Sequence, residues 1–211
     1  LEKVLKHYEH DSLKLEAAKF LIRNMPHCYS YQQGGEMDSV KRVRTYYSPF
    51  GQIDQTYARR WGHYTYRNLP KIYDAHIITA EYLIDNIDRA FDNWQKRPWN
   101  RSLSFEDFCE YLLPYRIGDE PLEEWRELYE KKYGYLLDSI YKGSDVVEAA
   151  NLVSRHLQEP VFIYCEDFEL PHIGPRYLFS HRYGSCVDAA DIVTYAFRAV
   201  GIPCMEDTDA R

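Results

Sequence analysis

The chain has 211 residues, a formal net charge of −7, 45% hydrophobic residues and 28% charged residues. That is enough to bury a sizeable core, as one large domain or as a helical domain joined to part of a second, and the composition excludes disordered and fibrous architectures. The acidic balance excludes a phosphate-binding surface spread over the chain, so nucleic acid is not expected as a partner. No run approaches the ~20 apolar residues of a membrane span, so no transmembrane segment is expected.

The start Leu1-Glu2-Lys3-Val4 lacks the charged and apolar regions of a signal peptide. The absence of an initiator Met fits a processed or trimmed chain, which leaves export open. Lys41-Arg42-Val43-Arg44 is the one tight basic cluster and reads as a solvated loop or strand. The five cysteines (Cys28, Cys109, Cys165, Cys186 and Cys204) are odd in number and widely spaced, with no Cys-x-x-Cys pair. They indicate neither a disulfide framework nor a zinc or redox pair, and no cofactor or metal is expected.

In chain order, Asp11 is placed to cap a helix whose Leu15, Ala18, Leu21, Ile22 and Met25 fall at helical spacing before Pro26 ends it. From His27 to about Pro70 the sequence is Tyr-rich and punctuated by Gly, which predicts irregular structure with a short hairpin. Ile77, Ala80, Ile84, Ile87, Phe91 and Trp94 recur three and four apart and predict a long helix closed by Pro98. Ser104 predicts the cap of the next, with Phe105, Phe108 and Leu112 on one face and Pro114 as its stop. Pro121 suits the first turn of another helix carrying Leu122, Trp125 and Leu128. Ser144 is the expected cap of a helix packed through Val147, Ala150, Asn151 and Val153 and ending near Leu157. Val161-Phe162-Ile163-Tyr164 is short and rich in strand formers, and Leu170 to Tyr177 reads as a loop. A soft boundary between a helical front and a distinct back is placed near Gly143.

The segment from Gly184 to Pro203 carries the most chemistry. Gly184 and Ser185 permit a turn and a cap, Gly201 and Pro203 form a helix stop, and Val187, Ala190, Val193, Phe197 and Val200 are the expected buried face. Cys186 then sits in the first helical turn. Unpaired backbone N–H groups and the positive end of the helix dipole favour its thiolate, and the same amides can hydrogen-bond an oxyanion formed on sulfur attack at a carbonyl. Asp188 and Asp191 work the other way, since nearby negative charge opposes a thiolate. On spacing alone, a lone Cys at a helix start is more often simply a small apolar residue.

Gly184, Cys186, Tyr195, Arg198, Ala199, Gly201, Ile202 and Pro203, in the pattern Gly-x-Cys then Tyr-x-x-Arg-Ala-x-Gly-Ile-Pro, resemble the nucleophile helix of the transglutaminase-like superfamily. Upstream, residues 14–25, 105–116, Glu120, Trp125 and Arg126 resemble the helical front of transglutaminase-domain proteins from gut bacteria. Those proteins are typically exported, often as lipoproteins, and the two resemblances together span most of the chain. The resemblance implies a mainly α fold passing to α+β: a helical N-terminal region at 1–143, then at 144–211 the N-terminal part of a papain-type, transglutaminase-like core. It implies a thioester on Cys186, formed from an amide and passed to an amine or water, in an acyltransferase, amide hydrolase or cysteine peptidase. The family's His and Asp follow the nucleophile helix on later strands, so a truncated and inactive domain is expected. His172 and His181 precede that helix, and Asp207 and Asp209 follow it too closely, so none takes a catalytic role. Cys186 is the single catalytic residue expected. A peptide, protein or glycopeptide substrate, an extracytoplasmic location and a lipid anchor upstream are further implications of the resemblance.

Two other readings stand beside this one. Tyr115, Arg116, Glu120, Trp125 and Arg126 mix aromatics and charge as a binding site does, but they equally describe a helix–loop–helix corner in which Arg116 pairs with Glu120. The 20 tyrosines are compatible with a non-catalytic module that keeps the fold and binds peptide or glycan on a Tyr-rich surface.

Overall fold

The computed structural model describes residues 1–32, 34, 35, 39, 42, 66–159, 161–164 and 170–206. Most of the Tyr-rich stretch and basic run, together with Cys165, Asp207 and Asp209, lie outside the described residues. The described chain is mainly helical, and no helix in it is long and apolar enough to cross a membrane.

Two short helices open the chain. α1 (Glu2–His7) was not anticipated; α2 (Ser12–Asn24) starts where Asp11 accepts from the Lys14 amide at 3.1 Å. The helix loosens into a 3₁₀ turn at Met25–His27, because Pro26 has no N–H to continue the ladder. β1 (Tyr29–Tyr31) pairs antiparallel with β2 (Lys71–Tyr73), a pairing between distant segments; a short hairpin within the Tyr-rich stretch falls mostly outside the described residues. A single turn, α3 (Asp74–Ile77), separates β2 from the long α4 (Ala80–Lys96), whose cap Thr79 accepts from the Tyr82 amide. Ile77 is therefore not part of the long stripe and is exposed. α5 (Phe105–Tyr111) follows, capped by Ser104 as its sequence dictates.

These helices enclose a first core of Val4, Ala18, Leu21, Leu83, Ile87, Phe91, Phe108 and Leu113. Phe108 is its centre: it stacks on Trp94 at 4.4 Å and meets Phe91 edge-on at 4.7 Å.

The helix expected near Pro121 begins only at Arg126, giving α6 (Arg126–Tyr135), which runs into a π turn at Leu136–Ile140. Residues 114–125 instead form a corner. Glu120 folds back so that its carboxylate accepts from the amides of Ile117 at 2.8 Å and Gly118 at 2.7 Å, a set of bonds that a helix through Pro121 could not make. Arg116 lies inside that corner. It ion-pairs with the buried Asp74, donates to the Glu120 carbonyl, and has the Glu120 carboxylate 3.9 Å away. The anticipated Arg116–Glu120 pairing exists, but Asp74 is the tighter partner.

α7 (Val146–Leu157) is capped by Asp145 rather than Ser144, through the amides of Val147 at 2.7 Å and Glu148 at 3.2 Å. Ala149, Val153 and Leu157, four apart, form the buried face, while Val147 and Asn151 from the expected packed side are exposed. The strand expected at 161–164 is the two-residue β3 (Ile163–Tyr164). α8 (Pro175–Ser180) begins inside the expected loop, with Pro175 in its first turn. β4 (Tyr183–Gly184) pairs parallel with β3 and feeds α9 (Cys186–Ala199). α6 to α9 share a second core around Trp125, Tyr129, Tyr133, Leu157, Leu178, Ile192, Tyr195 and Ile202. Trp99 and Ile117, from earlier in the chain, pack against this second core as well.

Arg126 sits at the junction of the two cores. Its guanidinium donates to the carbonyls of Leu112, Leu113 and Pro114 at the end of α5, to Arg198 near the end of α9, and to Asn86 Oδ1. One cation therefore satisfies the negative ends of two helices.

Candidate functional site

The site is built at the start of α9. Ser185 and Asp188 form a reciprocal capping box: Ser185 Oγ accepts from the Asp188 amide at 3.4 Å, and the Asp188 carboxylate accepts from the Ser185 amide at 2.7 Å. Asp188 is folded so tightly over the preceding strand that a Cβ at Gly184 would fall 2.3 Å from its Oδ2. Glycine at 184 is a packing requirement of the cap. Cys186 follows as the first helical residue and is exposed. Among the described residues, neither the Cys186 nor the Val187 amide has an acceptor, as expected for the first turn of a helix.

The buried face of α9 differs from the expected one. Val187 is exposed, and Val193 and Phe197 are only partly covered, whereas Asp188, Asp191, Tyr195 and Arg198 are buried together with Ile192, Ala196 and Ala199. Residues 188, 191, 195 and 198 recur three and four apart, so they form one stripe. Its charged members are buried against specific partners. Tyr195 packs between Trp125 at 5.1 Å and Tyr129 at 5.6 Å. Arg198 donates to the carbonyls of Cys204 and Arg116, both at 2.9 Å. The stripe that looked polar in the sequence is the one that ties α9 to the corner and the C-terminal segment.

Asp191 meets His172. His172 Nδ1 lies 2.9 Å from Asp191 Oδ2 and 3.0 Å from Oδ1, its amide donates to Asp119 Oδ1 at 2.9 Å, and its ring packs against Gly118. Burial alone would lower the imidazole; the Asp191 carboxylate overrides it and, with Glu120 and Asp119 nearby, lifts His172 to about 9. Burial pushes the Asp191 carboxyl up, against the pull of His172, and Glu120 and Glu206 add to the rise. Burial raises Glu206 as well. The imidazole and the Asp191 and Glu206 carboxyls are thus all raised above their ordinary values.

His172, Asp191 and Glu206 bring one imidazole nitrogen and two carboxylate oxygens within 4.8 Å of one another, a donor set that suits a divalent ion. The nitrogen facing the carboxylates is Nδ1, already hydrogen-bonded to Asp191, so the cluster is explained as a buried acid–base pair without an ion.

His181 stacks on Tyr177 at 4.5 Å and contacts its carbonyl, a local role. No hydrogen bond or ion pair joins either histidine to Cys186 among the described residues. The other described thiols are less available: burial pushes Cys109 up to about 12 and raises Cys28.

At the far end of α9, Gly201 has φ +83°, and a Cβ there would lie 2.7 Å from the Asn93 carbonyl. Its own carbonyl accepts from Trp99 Nε1 and Asn100 Nδ2, both at 2.9 Å, while Arg97 Nε donates to the Val200 carbonyl at 2.8 Å. The Gly-Ile-Pro stop is thus also a docking point for Arg97, Trp99 and Asn100. Sequence reading missed this clamp and the His172 cluster. The signal for the cluster was Asp191, a carboxylate one turn after Asp188 in an otherwise apolar helix. Compared with family models, curated proteins and solved structures, the chain matches none.

Proposed function

We propose that Cys186 is the nucleophile of an acyl-transfer or amide-hydrolysis reaction on a peptide or protein substrate. The observation that carries this reading is a thiol that is solvent-accessible at the first position of a firmly capped helix, beside two amides with no acceptor. Attack of the sulfur on an amide carbonyl forms a tetrahedral oxyanion, and the amides of Cys186 and Val187 are the donors that can stabilise it. Collapse to the thioester expels the amine, which leaves with a proton. Attack on that thioester by an amine or by water then releases the acyl group and returns the thiol. The capping box keeps those amides in place, so Ser185 and Asp188 are positioning residues for this chemistry.

The test compares the protein with its Cys186→Ala variant. Release of amine from a mixed peptide-amide library, and incorporation of a fluorescent primary amine into a protein acceptor, are followed side by side. Both signals should vanish in the variant; equal signals in the two proteins would remove Cys186 from the reaction.

A further inference from the structure

A cleft of about 570 Å³ opens between the end of α7 and α9, lined by Leu157, Phe162, Ala189, Ile192, Val193 and Arg182. Its size is that of a small-molecule site, and its walls are mostly apolar, with Ser154 and Gln158 as neutral polar groups and the arginine as the one charge. Arg182 is more than nine-tenths buried. Its Nη1 donates to the Tyr133 hydroxyl at 3.2 Å, its Nε has no partner, and no carboxylate pairs with it among the described residues. The other buried arginines discussed above each meet a carboxylate or backbone carbonyls, although Arg97 also keeps one Nη without a partner. A guanidinium held in an apolar wall with only a neutral phenol as partner is a charge awaiting a counter-ion, since an unpaired buried charge is strongly disfavoured.

We infer that this cleft binds a small apolar carboxylate, with the carboxylate on Arg182 and the apolar body against Leu157, Phe162, Ile192 and Val193. Nε is enclosed by protein, but Nη2 is not and makes no hydrogen bond among the described residues, so it is the donor a carboxylate in the cleft can reach, and charge-assisted bonds of this kind are the strong ones. Ala189 and Val193 stand three and seven residues beyond Cys186, on the same stripe of α9, so the cleft begins one turn from the thiol. The occupant is thereby the part of a substrate adjoining the reacting carbonyl; that placement rests on the Cys186 reaction proposed above, whereas the binding itself does not.

Calorimetric titration tests the inference with two matched pairs of probes: octanoate against 1-octanol, and an apolar tripeptide with a free C-terminal carboxylate against its C-terminal amide. At least one carboxylate should bind about tenfold or more tightly than its uncharged partner. Arg182→Met should abolish that preference, and Val193→Trp, which fills the cleft but leaves the guanidinium, should weaken carboxylate binding by a similar factor. Octanoate binding alone identifies a free acid as the source, and tripeptide binding alone identifies a chain end. Equal affinity for charged and uncharged probes, unchanged octanoate and tripeptide affinity in Val193→Trp, or no heat with either carboxylate overturns the inference. If circular dichroism shows that Arg182→Met does not fold, Val193→Trp and the uncharged probes still decide. Cys186→Ala should bind as the native protein does, so a failure of the cleft and a failure of the nucleophile are read separately.

Discussion

At its C-terminal end α9 is gripped by Arg97, Trp99 and Asn100 from the other half of the chain, whereas at its N-terminal end it is held by its own capping box and a two-residue parallel bridge. The first arrangement buries Arg97 and Asn100 and partly covers Trp99. The second leaves a cysteine and two amides open. A helix anchored at one end can present its other end to a reactant, because the anchoring interactions need not crowd the reactive turn.

Breaking the anchored side should cost most. Arg126→Met removes the donor that satisfies three carbonyls at the end of α5 and one near the end of α9, and a loss of roughly 3 kcal/mol or more is expected from urea melts. Gly201→Ala forces a Cβ into a left-handed conformation and against the Asn93 carbonyl, for a cost of about 2 kcal/mol by the same measurement. Ser185→Ala should cost only about 1 kcal/mol. It loosens the first turn, however, so the alkylation rate of Cys186, followed by mass spectrometry, should change far more than in Gly201→Ala. Equal changes in the two variants would show that the ends are not independent.

The smallest effect is a dependence on pH. His172 is raised from 6.5 to about 9 on folding, so its contribution is fully present below about pH 6.5 and is lost as pH rises through about 9. Asp191, also raised, works in the same sense. The urea midpoint should therefore fall across that window, modestly because the imidazole is partly exposed. His172→Gln should flatten the slope, and an unchanged slope would separate this cluster from the stability of α9.

Local chemistry was legible before the structure. Asp11 and Ser104 cap their helices as read, because a side-chain oxygen bonding an amide two or three residues on depends on adjacent residues alone. Ser185 and Gly201 bound α9 for the same reason. The start assigned near Pro121 failed because Glu120 is taken up by the Arg116 corner, whose other partner, Asp74, is 42 residues away. The face of α9 was misassigned because hydrophobicity counts Asp191 and Arg198 as surface residues. Burial became favourable for them only once His172 and the carbonyls of Arg116 and Cys204 were at hand.

The sequence by itself determined the caps of α2, α5 and α9, the apolar stripe of α4, and Cys186 in the first turn of a helix, since each follows from contacts within a few residues. Only the tertiary structure decided which charged side chains are buried, what partners them, and that Arg182 lines a cleft with no carboxylate partner among the described residues. Those outcomes depend on groups tens of residues apart, and their sign is set by whether a partner arrives.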